Sequence, residues 1–256
     1  MPYFIRTGAT AFTPTEHVEG AWTTEEQHVA PALGLMTHLV EADHRRRRTG
    51  DELAISRLSF DILGVLPMDE VQVEVRLVRP GRTIELVEAV LTHGGRPAVV
   101  LRAWLLASLD TSGLAGTDLP PLPGPDAMPE WDPTQVWPGG FIASAHVRRD
   151  EATPGRARYW VRTDVPLLDE PTGPLASAAG LFDIANGMTV RADPAEVAFP
   201  NVDLTAHLVR APRPGWLGFD TNVTFGPDGH GLTSSTIHDE HGPVGTVAQT
   251  LTVRPS

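Results

Sequence analysis

Residues 29–105 and 175–251 lie over one another at a constant offset of 146, without a gap. Gly34-Leu35-Met36-Thr37 falls on Gly180-Leu181-Phe182-Asp183, the run Val71–Leu77 on Leu217–Val223, and Pro97 on Pro243. A chain that repeats itself at this length must fold as two copies of one supersecondary unit, each burying surface its partner leaves open. The copies are not equal in polar content. Asp183 faces Thr37, Asn201 faces Ile55, and Gln249 faces Ala103. A polar residue kept in one copy and missing from the other is a candidate for chemistry.

Within each copy the pattern reads as one helix and a run of strands. Phe12 to Trp22 forms a leading strand, and Thr23-Thr24-Glu25-Glu26 has the spacing of a capping box that opens a helix. That helix carries Val29, Leu33, Met36 and Val40 on one stripe, and Leu35 and Leu39 widen it. A helix apolar on most sides is one enclosed by other elements. It ends near Asp43, before the basic run His44-Arg45-Arg46-Arg47-Arg48. Strands follow over Leu53–Leu63, Val71–Leu77, Thr83–Leu91 and Ala98–Ala107, separated by Pro80-Gly81 and His93-Gly94-Gly95. Residues 108–155 break this order. Pro120-Pro121-Leu122-Pro123-Gly124-Pro125 excludes regular structure, although Trp131, Trp137 and Phe141 suggest a stretch lying against the folded units. The second unit opens at Arg158–Arg162. Its helix starts at Gly173-Pro174 and stops at Asn186-Gly187, and strands fill Ala198–Pro255. The expected division is 1–107, a connection at 108–155, and 156–256. The fold class is α+β, each helix lying along a curled antiparallel sheet and the two sheets pairing side by side to cover their edges.

Composition narrows the function. Cysteine is absent, which excludes disulfides, thiolate metal sites and cysteine nucleophiles. All 20 basic residues are arginine, a bias expected of a GC-rich genome, and a lysine Schiff base is excluded. A net charge of −12 argues against nucleic acid or an anionic membrane as partner. No apolar run reaches membrane-spanning length and no signal-peptide pattern opens the chain, so a cytoplasmic location is expected.

Asp183 is the sharpest candidate. Leu181, Phe182 and Ile184 surround it, on a helix with almost nothing else that ionises. A carboxylate in that setting has its pKa raised by desolvation and suits general-base work on water; the competing reading is an aspartate turned to solvent or capping a loop. Gln249, in the last strand, is an amide that can hold a water or polarise a carbonyl without titrating. Asn201 follows Pro200 at a strand start, where asparagine is also an ordinary turn residue, and Thr205 offers a hydroxyl nearby. The three differences between copies can also be drift. The ten histidines are scattered; His238 and His241 flank Asp239-Glu240 without a third metal ligand, as at a solvated hairpin tip. The run Arg45–Arg48 suits either substrate phosphates or, more simply, the negative end of the preceding helix. No nucleophile elbow, phosphate-binding glycine loop or zinc-protease motif is present.

Three segments together carry a family resemblance: Gly180-Leu181-Phe182-Asp183-Ile184-Ala185-Asn186, Asn201 to Arg210, and Gly245-Thr246-Val247-Ala248-Gln249-Thr250. The chain resembles the double-hotdog acyl-CoA thioesterases of the thioesterase II type and their actinobacterial relatives, over nearly its whole length. The resemblance implies two tandem hotdog units, the first with a degenerate site, and hydrolysis of an acyl-CoA or related acyl thioester without a cofactor. In that family an aspartate on the second hotdog helix, a threonine at the following strand and a glutamine on the last strand orient the attacking water. Asp183 and Gln249 match the first and last, whereas Asn201 stands at the middle position and brings no hydroxyl; Thr205 is the hydroxyl that could replace it. A backbone N–H around Ala178 to Gly180 is the expected oxyanion donor, and a homo-oligomer is expected. The alternative is a non-enzymatic acyl-CoA or lipid-binding protein on the same fold. Hydratases of this fold resemble G-D-x-N-P-x-H near a helix start, a pattern not found here.

Overall fold

The structure is a computed structural model that describes residues 1–150 and 152–255; Glu151 and Ser256, within the expected connection and second unit, lie outside the described residues. The first half contains β1 (Phe4–Arg6), β2 (Ala11–Pro14), α1 (Val29–Arg47), β3 (Ala54–Ile62), β4 (Val71–Arg79), β5 (Ile84–His93) and β6 (Arg96–Leu106). After it come β7 (Glu130–Trp131), α2 (Gly140–Ala143), β8 (Ala145–Arg149), β9 (Arg156–Thr163), α3 (Pro174–Ala179) and α4 (Ile184–Gly187). The chain ends with β10 (Val197–Ala198), β11 (Asp203–Leu208), β12 (Leu217–Phe225), β13 (His230–Asp239), β14 (Gly242–Thr252) and β15 (Arg254–Pro255).

The duplication survives in three dimensions to the residue. β4, β5 and β6 each begin and end 146 positions before β12, β13 and β14. Among the described residues, one antiparallel sheet of 13 strands runs β1-β2-β4-β5-β6-β3-β11-β14-β13-β12-β9-β8-β7, and β10 pairs with β15 apart from it. The copies meet where β3 pairs with β11. At the centre of that pairing, Ser59 and Thr205 are repeat equivalents, and their hydroxyls are hydrogen-bonded at 3.1 Å. The helices meet at equivalent positions too: a Cβ on Gly34 would stand 2.9 Å from the Gly180 Cα. Glu41 lies against Gly173, so one helix runs on toward the start of the other. A pseudo-twofold axis therefore passes through the Gly34–Gly180 and Ser59–Thr205 contacts. Glycine at the crossing lets the helix backbones touch, as no larger residue would.

Alternation along the strands sends one set of side chains toward the helices. Val99, Leu101, Ala103 and Leu105 of β6 are buried, as are Val247, Gln249 and Leu251 of β14. A register shift between Ile55 and Arg57 recurs in the second copy, where Asn201 bridges Leu251 although Thr205 pairs with Ala248. The extra residue is Ser56 in one copy and Val202 in the other. A bulge of this kind turns the chain by one residue. It directs Ile55 and Asn201 inward while leaving Val202 exposed.

Several local expectations need correction. α1 begins at Val29 with His28 as its N-cap, not at the Thr23–Glu26 box, which closes a local turn through the Thr23 hydroxyl and the Glu25 N–H. α1 also continues past Asp43 to Arg47. The basic run is thereby the last helical turn: Arg46 and Arg47 bind Asp43, and Arg47 and Arg48 bind the buried Glu85. The leading strand covers only Ala11–Pro14. The connection holds more structure than its prolines suggest, since β7 and β8 extend the sheet beyond β9, and Trp137 and Phe141 are buried. His238 and Asp239 are also buried rather than solvated; Arg210 grips Asp239 and, with backbone N–H groups, holds its pKa down at about 2.

Candidate active site

The largest departure between the copies lies in the helix. α1 is an unbroken run of 19 residues. Its counterpart is split into α3 and α4 by a tight turn over residues 180–183, in which Leu181, Phe182 and Ile184 each donate to the carbonyl three residues back. Tightening of that sort inside a helix often marks a functional position. Here the turn places Asp183 as the N-cap of α4, although its side chain makes no cap bond.

The carboxylate reaches the sheet instead. Its Oδ1 accepts Asn201 Nδ2 at 2.7 Å and Gln249 Nε2 at 2.8 Å. Asn201 also donates to the Asp203 carbonyl at 3.1 Å, which fixes its amide. Asp183 is 7% exposed and Gln249 fully buried. Burial raises the pKa of Asp183 from the ordinary 3.8 to about 7, and the two amide donors offset only part of that rise. Both donors engage one oxygen, so Oδ2 is the oxygen left for a reactant. His28 Nδ1 stands 4.0 Å from Oδ2.

Asp183 and Asn201 open on a cavity of about 450 Å³. Its walls come from both halves: Trp22, His28 and Leu66 from the first, Trp137, Ile142 and Ile184 from beyond it. Trp22 and Trp137 meet edge-on with centroids 4.8 Å apart, and Phe199 backs both. Trp137 is anchored by its indole N–H on the Gly187 carbonyl at 2.8 Å. Asn186 ties α4 to the Phe199 carbonyl at 2.9 Å. An apolar, aromatic chamber with a few convergent polar groups is the usual form of a small-molecule site.

Asp183, Asn201 and Gln249 thus come together, and Thr205 does not. It lies on the β11 face opposite Leu204 and Ala206, and its hydroxyl is engaged by Ser59. The expected oxyanion donors around Ala178–Gly180 are also spent. Ala178 and Ala179 lie inside α3, and the Gly180 N–H donates to the Ala176 carbonyl at 3.1 Å. In the first half the corresponding place holds no titratable group. Thr37 donates to the Leu33 carbonyl at 2.8 Å, and Ile55 and Ala103 are buried apolar residues. No group of three or more metal-ligating side chains occurs among the described residues. Sequence reasoning missed His28, because placing the helix start at Thr23 put this N-cap residue inside the helix. It also left Trp137 without a role, because nothing in a proline-rich stretch says which cavity its aromatics border.

Residues 18–106 match the acyl-CoA thioesterase N-terminal domain and residues 117–253 the acyl-CoA thioesterase C-terminal domain. The chain belongs to the acyl-CoA thioesterase family, and its fold is the double hotdog. Solved structures of similar fold include a candidate thioesterase from Novosphingobium aromaticivorans (20% identity, 98% of each chain covered, TM-score 0.74). A hot dog protein of unknown function from Alicyclobacillus acidocaldarius is 14% identical, covering 98% of this chain and 96% of its own, with a TM-score of 0.76. The acyl-CoA thioesterase II of Mycobacterium marinum is 16% identical, covering 99% and 96%, with a TM-score of 0.69. No curated protein sequence matches the chain. No helix among the described residues is long and apolar enough to cross a membrane.

Proposed function

We propose that the chain hydrolyses acyl-CoA thioesters with a water activated by Asp183. The observation that carries this reading is a buried carboxylate with its pKa lifted to about 7, clamped on one oxygen and facing an apolar cavity with the other. A base poised near neutrality is the efficient one for proton abstraction at physiological pH. The acyl chain occupies the aromatic chamber. Asp183 Oδ2 takes a proton from water as the water oxygen bonds to the thioester carbon. The tetrahedral intermediate collapses by breaking the C–S bond, and the departing sulfur takes the proton back from Asp183, leaving free acid and thiol. The roles of Asn201 and Gln249 differ from those expected of water-holding groups. Their N–H donors fix the carboxylate and keep its pKa from climbing further. This arrangement needs no hydroxyl at the middle position, so Asn201 serves where a threonine was expected.

Purified protein should release free thiol from at least one of butyryl-, octanoyl- and palmitoyl-CoA. Asp183→Asn should lower kcat by about 10²–10⁴-fold, the range of a lost general base. Thiol release that survives this substitution would overturn the assignment. Binding of all three without release would favour the acyl-CoA-binding alternative.

A further inference from the structure

Hydrolysis at Asp183 also requires a donor for the thioester oxygen, and the N–H groups of Ala178–Gly180 in the second copy are committed to the helix. The first copy supplies one. His28 caps α1, and its Nδ1 accepts the Ala30 N–H at 3.2 Å. A ring nitrogen that accepts has no proton, so the ring's single proton is on Nε2. The ring packs at a tilt against Phe141, with centroids 4.2 Å apart. It lines the cavity beside Asp183, with Nδ1 4.0 Å from Oδ2. The position is unequal between copies: the repeat equivalent of His28 is Pro174, which has no side-chain donor.

We propose that His28 is a catalytic residue whose Nε2–H donates to the thioester carbonyl oxygen and stabilises the oxyanion formed when water adds. This rests on the reading of Asp183 as the base. Burial keeps the ring uncharged, with its pKa pushed down to about 3. An imidazolium beside Asp183 would pair with the carboxylate and quench it, whereas the neutral ring donates without competing for the proton. The active site is composite: the base and its clamp come from one repeat and the electrophilic donor from the other, brought together because α1 and its counterpart cross at Gly34 and Gly180.

The test separates this donor from a mere helix cap. Serine caps helices well, so His28→Ser keeps an acceptor for the Ala30 N–H and removes the ring. His28→Phe keeps the aromatic contact with Phe141 and removes both nitrogens. Each should lower kcat by about 10²–10³-fold, as expected for one oxyanion donor, with a smaller change in KM. A second readout uses Asp183→Asn protein loaded with octanoyl-CoA labelled with ¹³C at the carbonyl. Its C=O stretch should fall on binding, and adding His28→Ser should abolish the fall. Either His28 variant folding with wild-type kcat, or a carbonyl frequency indifferent to His28, overturns the proposal. An active Asp183→Asn would instead overturn the base on which it rests.

Discussion

The two halves share strands, register and even a bulge, yet only the second places a carboxylate at the inward position of its helix. The first half fills the place of Asp183 with Thr37, whose hydroxyl is absorbed by its own helix, and backs it with Ile55 and Ala103. The second keeps a buried acid there, breaks the helix to aim it, and holds it with two amides. One sheet geometry thus accommodates either an unbroken enclosed helix or a split one that carries a buried carboxylate. The side chains at three equivalent positions decide between them, which is how a site is grafted on a fold.

The sharpest way to break that comparison is to remove the charge. Beyond its effect on turnover, Asp183→Asn should make the protein more stable at neutral and alkaline pH. The folded carboxyl titrates near 7 and the unfolded one near 3.8, so between these values the folded chain holds the extra proton. Stability then falls as pH rises through that window, by up to roughly 4 kcal/mol. Thermal melts near pH 4 should coincide for the two proteins, and near pH 8 the variant should melt higher. A wild-type melting temperature unaffected by pH would show that Asp183 does not carry a burial-raised pKa.

Next in size is the crossing that joins the halves. Gly34→Ala places a Cβ within 2.9–3.0 Å of the backbone of Ala176 and Gly180. The helices must part, at a cost of about 1–3 kcal/mol as in other overpacked cores, visible in chemical denaturation. Gly180→Ala is the milder twin, since its nearest atom beyond its neighbours is the Ser177 carbonyl oxygen at 3.4 Å. A loss for Gly180→Ala as great as for Gly34→Ala would contradict this asymmetry.

Gln249→Leu removes one of the two donors on Oδ1. The carboxyl pKa should rise above 7, and the acid limb of kcat/KM against pH should move up by about one unit, the shift expected when one hydrogen bond to the charged form is lost. A limb that stays in place would show that the amide does not tune the acid. Thr37→Ala, at the equivalent of Asp183, should leave turnover unchanged and alter stability by about 1 kcal/mol or less, because the lost bond is local to the helix.

Much of this was readable in the residues. The offset of 146 predicted the tandem units and the equivalence of their strands, because alternation and turn residues are local and both copies spell them alike. The comparison between copies also picked out Asp183, Asn201 and Gln249. It failed where position depends on partners distant in sequence. Thr205 looked as near to Asp183 as Asn201 did, until strand alternation and the bulge at Val202 put them on opposite faces. Helix N–H groups near Gly180 looked free, until the tight turn used them.

The sequence alone therefore determined the two-unit plan, the apolar helices and the identity of the acid that only one copy carries, since each is written in composition and period along one stretch of chain. Only the tertiary structure decided what surrounds that acid. The crossing at Gly34 and Gly180 brings His28 of one repeat beside Asp183 of the other, and the folded connection brings Trp137 to the same cavity. The desolvation that raises the pKa of Asp183 arises from these long-range contacts, so no local pattern could have specified it.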